Sequence, residues 1–434
     1  MSKDEARAMR WATQAVFFAN GLGIGAWASA IPPLKQGLAL TDGQLSMALL
    51  AMAAGAVCCM PLCGRLVPRL GGTGAATRLA AIAFALMLCL PMWASSLPLL
   101  IASTLLLGAA NGVLDVAMNA HASAVERRWG EAIMSSFHAA FSLGGLVGTG
   151  VGAALLYLGL PSSWMLVPAT LIVLALLGFA IPRLGVGDGA RTAQATPHLA
   201  STADAGAHSG KPAQASAETH AAAAAPTAPR KHLAPSLFGL AAIGLLCFMV
   251  EGAMVDWSGL YLTTTGASAT TAAAGFAAFS AAMVVFRVLG DRIVRRFGGS
   301  SVIVAGTVLA AAGLTLAAAL PLTPAILAGY ALAGVGLSNV VPAIFSAAGR
   351  QSHSAASGIA LVASAGYAGL LLGPPLIGAI AHGWTLRAGV GVMAAGALCA
   401  AVLTLFVRAG RADRADKADS HADSGRIQPA RKSS

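Results

Sequence analysis

Apolar residues along this chain gather into runs of about 20 residues, the length that carries a helix across a ~30 Å hydrocarbon core. Short polar or arginine-bearing breaks separate the runs. Each run therefore predicts one membrane-spanning helix. The expected spans are 11–32, 44–63, 75–95, 98–124, 132–158 and 163–182, then 236–262, 271–289, 300–320, 324–347, 356–382 and 386–408. No stretch of about ten residues alternates apolar with polar positions, which disfavours a membrane β-barrel. The polar N-terminus, 1–10, leads straight into a long span near Trp11, as a retained first helix does and a cleaved leader does not.

Composition agrees with lipid as the main solvent. Of the 434 residues 57% are hydrophobic and 10% charged, with a mean hydropathy of +0.75. A soluble chain carries roughly a quarter charged residues. The formal net charge of +11 would suggest nucleic acid if the basic residues formed one patch. They lie instead in short loops, and no nucleic-acid partner is expected. With twelve spans, all 27 Lys and Arg except Lys35 and Arg387 fall on one side of the bilayer. By the positive-inside rule that side is cytoplasmic. Both termini are thus expected in the cytoplasm of a cell with the chain in its inner (plasma) membrane. Residues 183–235 are rich in Ala, Ser, Thr, His and Pro without apolar periodicity, and predict a disordered cytoplasmic linker. Residues 409–434 predict a solvated cytoplasmic tail. The six cysteines, Cys58, Cys59, Cys63, Cys89, Cys247 and Cys399, lie in or at the ends of apolar runs without metal-ligand spacing, and read as small packing residues.

Six spans, a linker and six more spans suggest internal duplication, and matched positions support it. Gly64-Arg-Leu-Val-Pro-Arg-Leu-Gly71 after the second span is echoed by Gly290-Asp-Arg-Ile-Val-Arg-Arg-Phe-Gly298 after the eighth. Asn20-Gly21 corresponds to Glu251-Gly252, each pair followed by a tryptophan, Trp27 or Trp257. Gly112-x-x-Asp115 corresponds to Gly336-x-x-Asn339, and Gly144-x3-Gly148 to Gly369-x3-Gly373. The fold class expected is an all-α membrane protein with twelve transmembrane helices in two pseudo-symmetric six-helix bundles. Their expected extents are 1–182 and 236–408.

With these motifs the chain resembles the major facilitator superfamily over nearly its whole length. The Gly-x4-Arg-x-Gly loop after the second span looks like that superfamily's signature loop. Asn111-Gly-Val-Leu-Asp-Val-Ala-Met-Asn119, Met134-Ser-Ser-Phe-His138 and Glu251-Gly-Ala-Met-Val-Asp-Trp257 are similar to its MosC-like branch. Pro68 stands where the signature loop commonly has an acid. The fourth span lacks the arginine, and the fifth the proline, typical of drug/proton antiporters. The resemblance implies that spans 1, 4, 7 and 10 line a central cavity.

Candidate chemistry comes from polar groups deep in the spans. A carboxylate at mid-bilayer costs about 2.5–3.5 kcal/mol on insertion scales, so each needs a partner, water or a proton. Asn111, Asp115 and Asn119 fall four apart and form one stripe on the fourth span. Glu251 lies about 22 Å into the seventh span at ~1.5 Å per residue, a depth suited to reversible protonation. Asn20 and Asn339 occupy the repeat-related positions, giving two acids and two amides. Asp256, nearer the other surface, is a weaker candidate for a gate. His138, flanked by Ser135 and Ser142, is a candidate proton relay. Arg287 is expected near the end of the eighth span, snorkelling or pairing with Asp291. Gly144, Gly148 and Gly152 form a small-residue packing face. Tyr367, Ser364 and the Pro374-Pro375 kink are further pocket or hinge candidates.

The expected function is secondary active transport of a small polar solute by alternating access, coupled to protons, by a monomer without a cofactor. The alternatives are a drug or metabolite efflux pump of the same fold and a non-transporting membrane sensor. No Gly-x4-Gly-Lys-Ser/Thr loop is present to bind ATP, and no His-Glu-x-x-His or Gly-x-Ser-x-Gly motif suggests an enzyme.

Overall fold

The computed structural model describes residues 3–159, 161–185, 235–351 and 354–424. The expected linker falls, from 186 to 234, outside the described residues. The first bundle holds α1 (Lys3–Gly37), α2 (Asp42–Arg69), α3 (Thr73–Leu88), α4 (Leu97–Trp129), α5 (Met134–Tyr157) and α6 (Val167–Ala180). The second holds α7 (Pro235–Thr264), α8 (Ala269–Phe297), α9 (Gly299–Ala319), α10 (Thr323–Gln351), α11 (Ala355–Gly383) and α12 (Leu386–Ser424). Among the described residues, eleven helices are long and apolar enough to cross a membrane, and α6 with its 3-10 extension, Val167–Arg183, is a shorter apolar twelfth.

Most helices overrun the spans expected from hydropathy, because a helix does not stop where the hydrocarbon does. α2, α4 and α8 each continue through their arginines, with Arg69, Arg127, Arg128, Arg295 and Arg296 in the last turns. Cations there complement the carbonyl end of the helix dipole. α4 stops at Gly130, whose φ of 81° only glycine adopts at little cost. Helix starts are set by side chains too: Thr41 and Gln44 form a reciprocal capping box on α2, and Ser268 accepts from the Thr271 N–H of α8. The alanine-rich tail, expected as solvated, continues α12 as a helix to Ser424.

The two bundles repeat one packing pattern. α1 packs on α5 as α7 packs on α11, α2 on α4 as α8 on α10, and α3 on α6 as α9 on α12. Glycines bring the backbones together at equivalent places. A Cβ on Gly144 or Gly148 would strike the Phe18 or Leu22 carbonyl of α1, and one on Gly369 or Gly373 the Leu245 or Met249 carbonyl of α7. The bundles meet along two seams, α2 with α11 and α5 with α8, which the repeat interchanges. Large apolar side chains such as Leu62, Leu86, Leu146, Phe238 and Leu372 point outward, while Asn20, Asn119, His138, Arg287 and Asn339 are buried inside. That inversion suits a protein whose surround is lipid.

One departure from the repeat matters for the site. α4 is continuous, whereas α10 is interrupted at Ser338-Asn339, between Thr323–Leu337 and Val340–Gln351. Pro342 has no N–H to give the carbonyl four residues back, which is that of Ser338. That carbonyl is free for another donor.

Candidate functional site

Asn20, Asp115, Glu251 and Asn339 lie near the middles of α1, α4, α7 and α10. The first bundle joins its polar groups to one another. Asn20 Nδ2 donates to Asn111 Oδ1 at 2.8 Å, and Asn111 Nδ2 donates across the bundle interface to Tyr367 Oη of α11 at 3.2 Å. One turn along α4, Asn119 Nδ2 donates to the Asp115 carbonyl and to Asp115 Oδ1, at 2.8 and 3.2 Å. The Asn119 carbonyl oxygen, Oδ1, meets His138 Nε2 at 3.2 Å. The His138 ring is stacked on Phe345 of α10 at 5.7 Å between centroids and set edge-on to Phe17 at 5.5 Å.

Arg287 occupies a different place from the one its sequence context suggested. With α8 running to Phe297, Arg287 lies ten residues, ~15 Å, inside the helix end, too deep to snorkel. Nor does it pair with Asp291. Its Nε donates to the Ser338 carbonyl at 3.1 Å, and its Nη1 donates across the interface to Ser142 Oγ at 2.8 Å. Ser142 Oγ in turn donates to the His138 carbonyl at 3.0 Å. Glu251 and His138 both lie within electrostatic reach of Arg287, and Asp115 within reach of Tyr367 and Cys63. A polar path thus crosses from Asp115 through Asn119, His138 and Ser142 to Arg287 and the surroundings of Glu251.

The second bundle leaves more of its groups without partners. Glu251 Oε1, Asn339 Oδ1 and Ser364 Oγ are buried without a hydrogen-bond partner. Asn339 Nδ2 is used locally, on the Phe286 carbonyl at 2.8 Å and Ser338 Oγ at 3.0 Å. Asp256 is exposed and joins neither cluster. Its neighbour Trp257 donates from Nε1 to the Pro374 carbonyl at 3.0 Å, tying α7 to the Pro374-Pro375 step within α11. Among the described residues no group of three His, Cys, Asp or Glu could hold a metal ion.

Sequence reasoning missed a second set of polar contacts at the arginine-rich end, where the bundles are shut against each other. Glu126, on α4, accepts from the Ile133 and Met134 N–H groups at 3.0 and 2.9 Å and so caps α5. Its other oxygen receives Ser346 and, at 3.1 Å, Arg350 of α10. Asp291 of α8 accepts from the Ser136 N–H at 3.0 Å, a cap on α5 supplied by the opposite bundle, and lies 3.9 Å from Arg10. Arg295 reaches the Ala132 carbonyl at 3.2 Å, and Arg127 the Gly349 carbonyl at 3.3 Å. Gly64, where the first signature loop begins, packs directly on Ser357. At the opposite end, the pairs Ser29–Thr149, Tyr261–Ala317, Tyr330–Ser258 and Arg387–Ala319 each stay within one bundle. The signal for Glu126 was a lone acid beside Arg127 and Arg128, which reads as an ordinary loop charge until α5 is folded back onto it.

Twelve crossings in two repeated bundles, closed at one end over a polar mid-depth, define a multi-pass membrane transporter. The model of the Major Facilitator Superfamily matches residues 15–369 and 240–432, and the chain belongs to that superfamily. It is 35% identical over 402 residues to an uncharacterized MFS-type transporter of Yersinia pestis, covering 92% of this chain and 93% of that one. It is 32% identical over 395 residues to the membrane protein MosC of Rhizobium meliloti, covering 90% and 88% respectively. Its fold matches the MFS transporter FucP in the outward conformation with a TM-score of 0.70, at 15% identity over 91% of this chain and 97% of that one. The proton:xylose symporter XylE matches with a TM-score of 0.67, at 12% identity over 93% and 96%.

Proposed function

We propose that this transporter is a proton-coupled secondary carrier that moves a small polar solute by alternating access, the two bundles rocking about the mid-depth cluster. The observation that carries the reading is a polar cluster spanning the two bundles. Asp115 bonds Asn119, Asn119 meets His138, and the His138 carbonyl is joined through Ser142 to Arg287, with Glu251 of the second bundle near Arg287 but not bonded to it. A charge carried at mid-membrane is expensive, so a carboxylate that takes up a proton from one side and releases it to the other can couple a gradient to bundle movement. Asn20, Asn111, Asn339 and Tyr367 would supply neutral hydrogen bonds to the solute. The amides favour a polar ligand over a bulky drug.

The arginine-rich end is the cytoplasmic one in this reading, which places the chain in a cell's inner membrane with both termini inside. The shut seam then makes this the outward-facing state. The bundles comprise 1–182 and 236–408, joined by a cytoplasmic linker, with a tail from 409, and one chain suffices for transport. Asp256 serves as a gate residue outside the cluster.

The test is flux in proteoliposomes holding the purified full chain, with and without an imposed pH gradient. Asp115→Asn and Glu251→Gln should each abolish gradient-driven accumulation while leaving the protein folded. Unchanged accumulation in both variants would overturn the coupling assignment. Solute binding without any flux would favour a sensor.

A further inference from the structure

Arg287 is nine-tenths buried and permanently charged, yet its two hydrogen bonds go to neutral acceptors, the Ser338 carbonyl and Ser142 Oγ. A guanidinium has five N–H donors, so three of them have no acceptor in the protein. Nη2 is unbonded but not sealed in, because it is absent from the buried atoms that lack a partner. It therefore retains some accessible surface. Among the described residues no carboxylate comes within ion-pair distance of Arg287. Glu251 lies within electrostatic reach but makes no bond to it, and Glu251 Oε1 is enclosed without a partner of its own. A buried charge is ordinarily paired, because leaving it uncompensated is costly. The fixed fork of donors matches the two oxygens of a carboxylate.

Resting on the transport reading above, we propose that the transported solute carries a carboxylate and that Arg287 binds it. Ser142 and the Ser338 carbonyl hold the guanidinium from behind, so the fork is oriented before the solute arrives. The carbonyl is available for this because Pro342 cannot use it. Glu251 sets the condition for binding: in its neutral form it leaves the positive charge of Arg287 uncompensated and attractive to an anion. A solute carboxylate and a proton on Glu251 would then travel together.

The experiment uses the full chain in nanodiscs and follows its thermal unfolding midpoint in sodium acetate, in acetamide and in sodium phosphate, at constant ionic strength. Acetate should raise the midpoint saturably, and acetamide, its neutral analogue, should not. Arg287→Gln should weaken the acetate response by at least about tenfold, the scale of a lost charged hydrogen bond, and Glu251→Gln should preserve it. Should Arg287→Gln fail to fold, Arg287→Lys keeps the charge without the fork and should leave a weaker but measurable response. Equal responses to acetate and acetamide, no saturable response to acetate, or an acetate response that survives Arg287→Gln would each overturn the proposal. A larger response to phosphate than to acetate would overturn the carboxylate assignment. Gradient-driven flux that persists in the wild type alongside any of these results would sink this inference alone and leave the coupled-transport reading standing.

Discussion

The two halves of the repeat solve the same problem in opposite ways. In the first bundle Asn20, Asn111, Asp115, Asn119 and His138 satisfy one another through short hydrogen bonds. In the second, the matching neighbourhood leaves Glu251, Asn339 and Ser364 with unpartnered oxygens and Arg287 with unused donors. Buried polar groups are almost always paired in folded proteins, so the contrast fits the proposed reading in which solute and proton meet the second bundle. The mid-depth amides and Asp115 of the first bundle find partners, one of them Tyr367 of the second.

Backbone packing does not share this asymmetry, and that gives the largest test. Gly144→Leu and Gly369→Leu both drive a side chain into a helix carbonyl that cannot rotate away, and each should cost about 3 kcal/mol or more. Loss of folded monomer in size-exclusion chromatography would register it. If one half tolerates the change and the other does not, packing rather than polar satisfaction distinguishes the bundles.

Next in size is Glu126→Ala, which removes a buried carboxylate that caps α5 and holds Ser346 and Arg350. About 3 kcal/mol of destabilisation follows from breaking a buried charge network, read as a lowered unfolding midpoint. A sharper comparison sets Asn111→Ala against Ser364→Ala. The first strands Asn20 and Tyr367 and should cost about 1–3 kcal/mol, whereas the second removes an oxygen that has no partner and should be neutral or slightly stabilising. Equal losses for the two would erase the distinction between the halves. The smallest effect belongs to Arg350→Ala. Its side chain is 52% exposed, so its pair with Glu126 should contribute less than about 1 kcal/mol.

Much of this fold was legible in the residue order. Runs of apolar residues located the twelve crossings, and the glycine pairs Gly144/Gly148 and Gly369/Gly373 marked the close helix contacts that the structure confirms. The stripe of Asn111, Asp115 and Asn119 was readable because α4 is a regular helix. Arg287 was misread because the eighth span was ended at its first cluster of charges, whereas α8 carries those charges on to Phe297. The interruption of α10 had a readable cause in Pro342, but not the identity of the donor that takes up the freed carbonyl. Cross-bundle neighbours such as Arg287 and Ser142, or Asn111 and Tyr367, depend on how two separate helix packs face each other. Local periodicity carries no record of that.

The first turn of α5 is capped from both bundles: Glu126 of its own bundle takes the Ile133 and Met134 N–H groups, and Asp291 of the other takes the Ser136 N–H, which also reaches the Ile133 carbonyl at 3.2 Å. A helix finished by a neighbour frays when the neighbour withdraws. If the bundles rock as proposed, amide hydrogen exchange at Ser136 should quicken when the arginine-rich end parts, as far as its remaining bond to the Ile133 carbonyl allows, so one backbone proton would report the opening with no label attached.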